Sequence, residues 1–203
     1  GNPVRSEIAA IPAPAQRFAG RSGPLRLTVI GGSLGAQALN SAVPQALALI
    51  APDERPRVTH QSGQRHLPDV EQHYREAGVD ATLLPFIDNM AAQYAESDLI
   101  ICRAGASTIA ELAAVGIASV LVPFPQAVDD HQTHNAQHFV SRGGGVLLPQ
   151  RTLTPASLAA ELARRLADLP GLAQWAEAAR AQAMVAAAER IAAACLEAAE
   201  SRS

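Results

Sequence analysis

The sequence predicts an α/β fold, in which a doubly wound parallel sheet of about six strands is followed by carboxyl-terminal helices. Short apolar runs alternate along the chain with longer segments of helical periodicity, a pattern typical of parallel strands joined by helical crossovers. The composition, with 48% hydrophobic and 17% charged residues, indicates a folded globular interior. A chain of 203 residues is long enough for one such domain.

Six apolar runs are strand candidates, and five helical segments lie between them. The strands are predicted at 25–30, 57–61, 81–86, 98–102, 118–124 and 144–149. The helices are predicted at 36–50, 66–77, 89–96, 107–115 and 131–142. Each helix begins close to the carboxyl end of a strand, as in a Rossmann-like sheet. In such sheets ligands bind at these strand ends, around the point where the strand order reverses.

After Gln150 the sequence becomes rich in alanine and helical to its end. Thr154 is the predicted N-cap of the first of these helices, and Pro155 its first helical residue. We interpret the final helices as packing elements, and the Pro-rich start of the chain as a connector into the first strand. We therefore expect one domain over 1–203, made of a sheet region, 1–150, and carboxyl-terminal helices, 151–203.

Composition and charge exclude several classes of function. The net charge of −3, the absence of a dense basic run and an aromatic content of 3% argue against nucleic acid as a partner. All sixteen basic residues are Arg, so lysine-dependent chemistry is excluded. Cys102 and Cys195 are far apart within apolar patterns, which suggests neither a disulfide nor a zinc site.

The sequence also bears on cellular location. Its apolar runs are shorter than the roughly 18 residues that a membrane-spanning helix needs. The first residues, "GNPVRSEIAAIPAP", lack the charged and apolar regions of a signal peptide. We therefore expect a cytoplasmic protein with free thiols.

The first candidate binding segment is "VIGGSLGAQALN", in which Gly31, Gly32 and Gly35 surround Ser33 between the first strand and the first helix. Glycines permit a sharp turn that brings backbone N–H groups against a ligand, and the helix N-terminus behind them favours an anion such as phosphate. The segment matches neither the dinucleotide pattern G-x-G-x-x-G nor a nucleoside-triphosphate loop. A tight strand-to-helix turn that binds nothing is the alternative.

The second candidate segment, "CRAGASTIAE", follows the fourth strand. Gly105 and Ala106 leave room above the helix start, and the carboxylate of Glu111 can accept two hydrogen bonds from the vicinal hydroxyls of a ribose. This interpretation places a diphosphate at the helix N-terminus and a ribose beside Glu111. Thr108-x-x-Glu111 also has the spacing of a capping box, in which Glu111 would only bond to a backbone N–H group.

The third candidate segment is "PFPQAVDDHQTHNAQHFV", after the fifth strand. Side chains that both donate and accept hydrogen bonds precede or begin a helix here, as expected for sugar recognition: Asp130, His131, Gln132 and Asn135. A metal site is one alternative, with ligands from His131, His134 and His138. A plain N-cap by Asp129 or Asp130, with surface histidines, is the other.

The fourth candidate segment is "PFIDNMAAQYAESD". Phe86 and Ile87 end the third predicted strand and could offer an apolar wall and main-chain groups to a flat ring. Packing in the core is the alternative for both residues.

These segments carry a resemblance to a known family. Five stretches, in this order, resemble the carboxyl-terminal domain of the MurG family of peptidoglycan N-acetylglucosaminyltransferases: "GNPVR", "GGSLGAQALN", "HQSG", "FIDNMAAQYAESDLIICRAGASTIAEL" and "VPFPQAVDDHQTHNA". The resemblance runs from residue 1 to about residue 150 and more loosely through the final helices. It implies one half of a GT-B glycosyltransferase, an architecture of two Rossmann-like domains.

The resemblance implies a donor site for UDP-N-acetylglucosamine. The diphosphate would face Arg5, the Gly32–Ser33 loop and the amides of Ala106, Ser107 and Thr108. Uracil would meet the main chain of Ile87 in a pocket lined by Met90, and Glu111 would hold the ribose. The sugar hydroxyls would be held by His131 and Gln132, with Asn135 as support. His131 stands where some relatives carry a second Gln, and Arg103 is either electrostatic support or a salt-bridge partner.

The resemblance also implies the reaction. The 4-hydroxyl of the muramyl sugar of lipid I attacks the anomeric carbon of the donor with inversion, which gives lipid II and releases UDP. Helix N-termini, loop amides and Arg5 would stabilise the departing charge without a metal or another cofactor. The family's general base and acceptor loop belong to an amino-terminal domain that this chain lacks, so no catalytic residue is assigned here.

We therefore expect a chain that binds UDP-N-acetylglucosamine but does not transfer the sugar alone. The excised donor domain of a longer enzyme is one interpretation; the full-length protein would then lie peripherally on the cytoplasmic face of the inner membrane. The soluble subunit of a split two-chain transferase is the second. A non-catalytic nucleotide-sugar sensor is the third.

Overall fold

The computed structural model describes residues 1–32 and 35–200, and six parallel strands form one sheet there in the order β3-β2-β1-β4-β5-β6. The strands are β1 (Arg26–Ile30), β2 (Arg57–Gln61), β3 (Thr82–Leu84), β4 (Leu99–Cys102), β5 (Ala118–Leu121) and β6 (Gly145–Leu147). Every strand falls within a predicted run, so the predicted fold class is confirmed.

Helices precede, connect and follow the strands. They are α1 (Ser6–Ala9), α2 (Pro14–Phe18), α3 (Gln37–Ala48), α4 (Leu67–Ala77), α5 (Met90–Glu96), α6 (Ala106–Val115), α7 (His131–Val140), α8 (Pro155–Leu166), α9 (Leu169–Arg180) and α10 (Ala187–Glu200). The five helices predicted between strands correspond to α3 to α7, with ends that differ by at most two residues.

The Pro-rich start, predicted as a connector, contains the two short helices α1 and α2. Pro14 occupies the first position of α2, where its missing N–H group costs nothing. Arg17 donates hydrogen bonds to the carbonyl oxygens of Pro12, Val115 and Gly116, and so ties α2 to the loop before β5. Long-range contacts of this kind order a segment whose local sequence does not predict helices.

The sheet is buried on both faces because alternate residues of its strands join two hydrophobic clusters. Leu99 and Ile101 of β4 pack with α3, α4 and α8 on one face. Ile100 and Cys102 pack with α1, α5, α6 and α7 on the other. Burial on both faces explains why the central strands are apolar at every position.

The strand order reverses between β1 and β4. β2 and β3 lie on one side of β1, whereas β4, β5 and β6 lie on the other. Ile30 and Cys102, the last residues of β1 and β4, are partners in the parallel ladder. The segments that follow them therefore begin about 4.8 Å apart, although α3 and α6 then leave on opposite faces.

The prediction that the final helices pack is confirmed for α8 and α9. Thr154 caps α8 by accepting a hydrogen bond from the Ser157 N–H group at 3.0 Å, and Ser157 Oγ accepts one from the Thr154 N–H group at 2.9 Å. The prediction is wrong for α10, because among its described side chains only Ala187 is buried. In the part of the chain that the structure describes, no helix combines the length and apolarity needed to cross a membrane.

Candidate functional site

The glycine loop after β1 turns against the end of β2. A Cβ atom on Gly31 would lie 2.8 Å from the Ala36 nitrogen, so a larger residue does not fit there. Gly32 and Gly35 have φ angles of +79° and +76°, which side chains disfavour. No described atom lies within 4 Å of a Cβ built on Gly32, so its surface is open. Ser33, the predicted diphosphate residue of this loop, lies outside the described residues.

Helix α3 begins behind this loop without a capping side chain among the described residues. Gln37 and Ala38, in its first turn, line a cavity of about 640 Å³. Gln132 in α7 and Gln150 in the turn after β6 line the same cavity. The N–H groups of a first helical turn have no acceptor within the helix, so this cavity contains a partial positive charge.

Helix α6 also begins uncapped within the described part of the chain. Gly105 is its N-cap residue, and no acidic side chain lies in its first turn. Ala106 and Ser107 are exposed and Thr108 is half-buried. A Cβ atom on Gly105 would have Thr108 Oγ1, at 3.7 Å, as its nearest described neighbour. The protein's own packing therefore does not require a glycine here.

The capping-box alternative for Glu111 is wrong. Because α6 begins at Ala106, Thr108 is its third residue and Glu111 its sixth, too far along the helix to cap it. Glu111 Oε2 instead accepts a hydrogen bond from the Tyr94 hydroxyl at 2.9 Å. Glu111 Oε1 lies 3.6 Å from a guanidinium nitrogen of Arg5.

Tyr94 fixes the orientation of the Glu111 carboxylate. Its side chain is buried, and this burial, followed by the charge of Glu111, raises the pKa of Tyr94 well above its ordinary value. The hydroxyl therefore stays protonated and donates. Sequence reasoning missed this residue. The signal was available, because Met90 and Tyr94 share one face of α5 at a spacing of four residues, and a buried Tyr hydroxyl needs a partner.

Arg5 is half-exposed and lies between two carboxylates. Its guanidinium is 3.7 Å from Glu7 and 3.6 Å from Glu111, distances too long for good hydrogen bonds. Ion pairs this exposed contribute roughly 0 to 1 kcal/mol. The Arg5–Glu111 contact can therefore be exchanged for contacts with a ligand at small cost.

Two amide side chains of α7 hold the peptide before α6. Gln132 Oε1 accepts hydrogen bonds from the N–H groups of Ala104 at 3.2 Å and Phe124 at 3.0 Å. Asn135 Nδ2 donates to the Ala104 carbonyl oxygen at 3.1 Å. The Gln132 carbonyl is thus used inside the protein, which leaves its NH₂ group as a donor beside the cavity.

His131 is the first residue of α7. Its Nδ1 lies 2.8 Å from the Val128 carbonyl oxygen and donates to it, so in the neutral ring Nε2 is a hydrogen-bond acceptor. Asp129 and Asp130 both have φ angles of 51°, a left-handed conformation that is unusual outside glycine.

Neither alternative for the third segment is observed. Asp130 occupies the N-cap position of α7 but makes no side-chain cap bond. Its Oδ1 instead accepts a hydrogen bond from the Thr133 hydroxyl at 2.6 Å. Among residues 1–32 and 35–200, no group of three or more His, Cys, Asp or Glu side chains is arranged to hold a metal ion.

Arg103 braces the segment after β5. Its guanidinium donates to the carbonyl oxygens of Val122 at 3.1 Å and Pro123 at 3.2 Å, and lies 5.5 Å from the centre of the Phe124 ring. Burial lowers its pKa, but an arginine remains charged in proteins. It forms no ion pair with any described residue, so the salt-bridge alternative is wrong. Arg103 places a positive charge in the wall of the cavity of about 640 Å³.

Met90 begins α5, and Ile87 lies in the segment just before it. The Ile87 side chain is buried, so only its main chain remains for a ligand, as the predicted contact with uracil requires. Met90 is half-buried, and Asn89 caps the helix by accepting from the Ala92 N–H group at 2.9 Å. Phe86, in contrast, is 54% exposed and offers an apolar surface.

The described candidate residues surround one edge of the sheet, but they do not share a single cavity. The glycine loop and Gln132 line the cavity of about 640 Å³. Ala106 and Asn135 line a separate one of about 470 Å³. Arg5 and Glu111 lie together on the α6 side of the strand reversal.

Comparison with known proteins assigns the family. The glycosyltransferase family 28 C-terminal domain matches residues 26–191. A transferase from Azoarcus sp. (strain BH72), named UDP-N-acetylglucosamine–N-acetylmuramyl-(pentapeptide) pyrophosphoryl-undecaprenol N-acetylglucosamine transferase, is 57% identical over 100% of this chain and 56% of its own length. A protein of the same name from Ralstonia nicotianae (strain ATCC BAA-1114 / GMI1000) is 53% identical over 98% of this chain and 55% of its own.

Among solved structures, the crystal structure of Acinetobacter baumannii MurG superimposes with a TM-score of 0.83 and 38% sequence identity. The match covers 91% of this chain and 53% of that one. The chain thus spans about half the length of the relatives it matches. The resemblance drawn from the sequence is confirmed: the chain belongs to the glycosyltransferase family 28 C-terminal domain family and corresponds to the carboxyl-terminal domain of MurG.

Proposed function

We propose that this chain is the donor-binding half of an inverting N-acetylglucosaminyltransferase and binds UDP-N-acetylglucosamine. One observation carries the proposal: two uncapped helix starts, those of α3 and α6, follow adjacent strands at the point where the strand order reverses. Such a junction favours an anionic group between two helix N-termini. The names of the relatives, which include UDP-N-acetylglucosamine, support this donor.

The diphosphate is proposed to lie between the two helix starts. Gly32 and Ser33 would approach it on the α3 side, and the amides of Ala106, Ser107 and Thr108 on the α6 side. Fixed N–H dipoles stabilise a phosphate because they need no reorganisation when the charge develops. Arg5 would add a formal positive charge after it leaves Glu111.

The nucleoside is proposed to lie on the α6 side. The Tyr94 hydroxyl holds Glu111 Oε2, whereas among the described residues Oε1 has only the long contact with Arg5 and so is available to the ribose hydroxyls. The main chain of Ile87 would contact uracil, and Met90 would line its pocket.

The sugar is proposed to lie beside α7. Gln132 offers an NH₂ donor and His131 offers Nε2 as an acceptor, a pair that suits hydroxyl groups because these both donate and accept. Asn135 would act indirectly, since its amide holds Ala104 in front of α6.

In the proposed reaction, the 4-hydroxyl oxygen of the muramyl sugar of lipid I forms a bond to the anomeric carbon, and the bond to UDP breaks. The negative charge moves onto the departing diphosphate, where the helix dipoles and Arg5 stabilise it. The base and the acceptor surface are proposed to come from an amino-terminal domain, as part of an enzyme held peripherally at the cytoplasmic face of the inner membrane.

Calorimetric titration of the purified chain tests the proposal. UDP-N-acetylglucosamine should bind more tightly than UDP-glucose and UDP-galactose, and NAD should not compete with it. Tighter binding of NAD, or no binding of any uridine diphosphate, would contradict the proposed site. Addition of the amino-terminal half of a relative, with lipid I, then separates a transferase half, which gains activity, from a sensor, which does not.

A further inference from the structure

The carboxyl end of β2 packs against the glycine loop, although it supplies none of the proposed ligand contacts. The segment is His60–Gly63, with the sequence "HQSG". The Gln61 carbonyl oxygen accepts a hydrogen bond from the Gly31 N–H group at 3.2 Å. The Gln61 side chain donates to the Gly32 carbonyl oxygen at 3.4 Å. One side of the loop is therefore shaped by β2.

Ser62 is the second point of contact. A Cβ atom on Gly35 would lie 2.3 Å from the Ser62 carbonyl oxygen, so the end of the loop lies directly on this carbonyl group. The same oxygen accepts a hydrogen bond from Asn40 Nδ2 at 3.0 Å. Asn40 is buried in the first half of α3. Its amide therefore joins α3, the glycine loop and β2 at one place.

His60 holds the oxygen end of the Asn40 amide. Its ring is fully buried, with Nε2 3.0 Å from Asn40 Oδ1 and Nδ1 2.9 Å from the Tyr74 hydroxyl. The Ser62 carbonyl can only accept, so Asn40 must turn its NH₂ group toward it and its oxygen toward His60. His60 Nε2 then carries the proton, and Nδ1 accepts from Tyr74. The hydrogen bonds form one chain with a single direction.

This chain requires a neutral imidazole, and the surroundings favour one. Burial lowers the pKa of His60 to about 3. Burial also raises the pKa of Tyr74, so the phenol keeps its proton. The remaining titratable neighbour in hydrogen-bond contact with the network is His73, whose Nδ1 lies 3.2 Å from the Asn40 main-chain oxygen. No described carboxylate forms a hydrogen bond or ion pair with the network.

We infer that His60 and Asn40 are positioning residues for the diphosphate loop: the ring of His60 holds the oxygen of the Asn40 amide, whose NH₂ group holds the Ser62 carbonyl on which Gly35 and the start of α3 rest. The inference rests on the proposed function, because it concerns the loop that would bind the diphosphate. A pre-formed loop binds more tightly than one that must be ordered on binding.

The test compares UDP with uridine, which lacks the diphosphate. His60→Leu should weaken UDP binding roughly ten-fold, about the effect of one misplaced hydrogen-bonding group, and leave uridine affinity unchanged in ligand-observed NMR titrations. His60→Gln should restore UDP binding, because its side-chain amide can still donate to Asn40 Oδ1. Tyr74→Phe is the matched control. It removes a buried hydrogen bond at the far end of the chain, and should lower the melting temperature without changing UDP affinity.

Equal loss of uridine and UDP affinity in His60→Leu, or wild-type UDP affinity in that variant, would overturn the inference. If His60→Leu does not fold, Asn40→Ser gives the same comparison with the same two outcomes. Failure of the unmodified chain to bind UDP would instead remove the proposed function, and this inference with it. If the unmodified chain binds UDP and the folded variant binds it equally well, the inference fails while the proposed function stands.

Discussion

Glu111 shows how one residue can satisfy a local sequence pattern and yet have another partner. The spacing Thr108-x-x-Glu111 fits a capping box, but the helix begins at Ala106, so Glu111 is its sixth residue. The carboxylate is consequently left for Tyr94 and Arg5. The segment was predictable as a candidate site, whereas the partner of Glu111 was not, since Tyr94 approaches it from another helix.

We expect Glu111→Ala to weaken UDP binding by about 1 to 3 kcal/mol, because charged hydrogen bonds to the ribose would be lost. UDP affinity is measured by calorimetry, and the melting temperature of the same variant by thermal unfolding. Tyr94→Phe is the matched control, since it keeps the carboxylate but frees it to turn, and should weaken UDP binding less. A lowered melting temperature with unchanged UDP affinity would show that Glu111 acts only in folding.

Gly105→Ala tests whether the glycine is needed for folding or for ligand binding. The backbone at Gly105, with φ −62° and ψ 148°, suits any L-residue, and the added Cβ meets Thr108 Oγ1 only at 3.7 Å. We expect the free energy of unfolding to change by less than about 1 kcal/mol, but UDP affinity to fall at least about ten-fold, a cost of some 1.4 kcal/mol, because the methyl group occupies the space of the diphosphate. Unchanged UDP affinity would argue against a diphosphate at this helix start.

His60 should make stability depend on acid pH. Its pKa is about 3 in the folded protein, against 6.5 for an ordinary histidine, so below pH 6.5 the unfolded chain takes up a proton that the folded chain does not. The free energy of unfolding should therefore fall between about pH 6.5 and 3, by up to roughly 1.4 kcal/mol per pH unit. Urea unfolding at several pH values measures this slope, which His60→Gln should reduce. Other titrating residues contribute equally to the slopes of the unmodified chain and of His60→Gln. Identical slopes for the two would contradict a neutral buried His60.

At the scale of elements, the helices and strands between residues 25 and 150 followed from apolar runs and turn residues, because each has a clear local pattern. The structure differs from the prediction where contacts between residues distant in sequence determine the helices and their packing. Helix α2 is held by the bond from Arg17 to the Val115 carbonyl oxygen, and α1 by the burial of Ile8 against α5 and α6. Helix α10 has a helical sequence, but Ile191 and Leu196 are 45% and 65% exposed, so periodicity alone did not predict its packing.

Helix α7 offers a paired test of the sugar site. Gln132→Ala and Asn135→Ala each remove a side chain that holds Ala104, but only Gln132 has an amide NH₂ group proposed to bind the sugar. We expect Gln132→Ala to weaken UDP-N-acetylglucosamine more than UDP, by about 1 kcal/mol of additional free energy. Asn135→Ala should weaken the two ligands equally. If Gln132→Ala, like Asn135→Ala, loses as much affinity for UDP as for UDP-N-acetylglucosamine, Gln132 does not bind the sugar.

At the scale of the whole molecule, the proposed anion site depends on fixed dipoles. Two helix starts and two arginines, Arg5 and Arg103, supply positive charge at one edge of the sheet, in a chain whose net charge is −3. Calorimetric affinity for UDP-N-acetylglucosamine should therefore be the same with EDTA and with added Mg²⁺, within about 0.5 kcal/mol. A strict requirement for magnesium would contradict this account.

The reversal of strand order also has a mechanical consequence. Helix α3 belongs to the hydrophobic layer on one face of the sheet and α6 to the layer on the other, yet both begin at neighbouring strand ends. A nucleotide held between these two helix starts would link the two helical layers across the sheet. Its binding energy would then slow amide exchange in both layers at once, including helices that the ligand never touches.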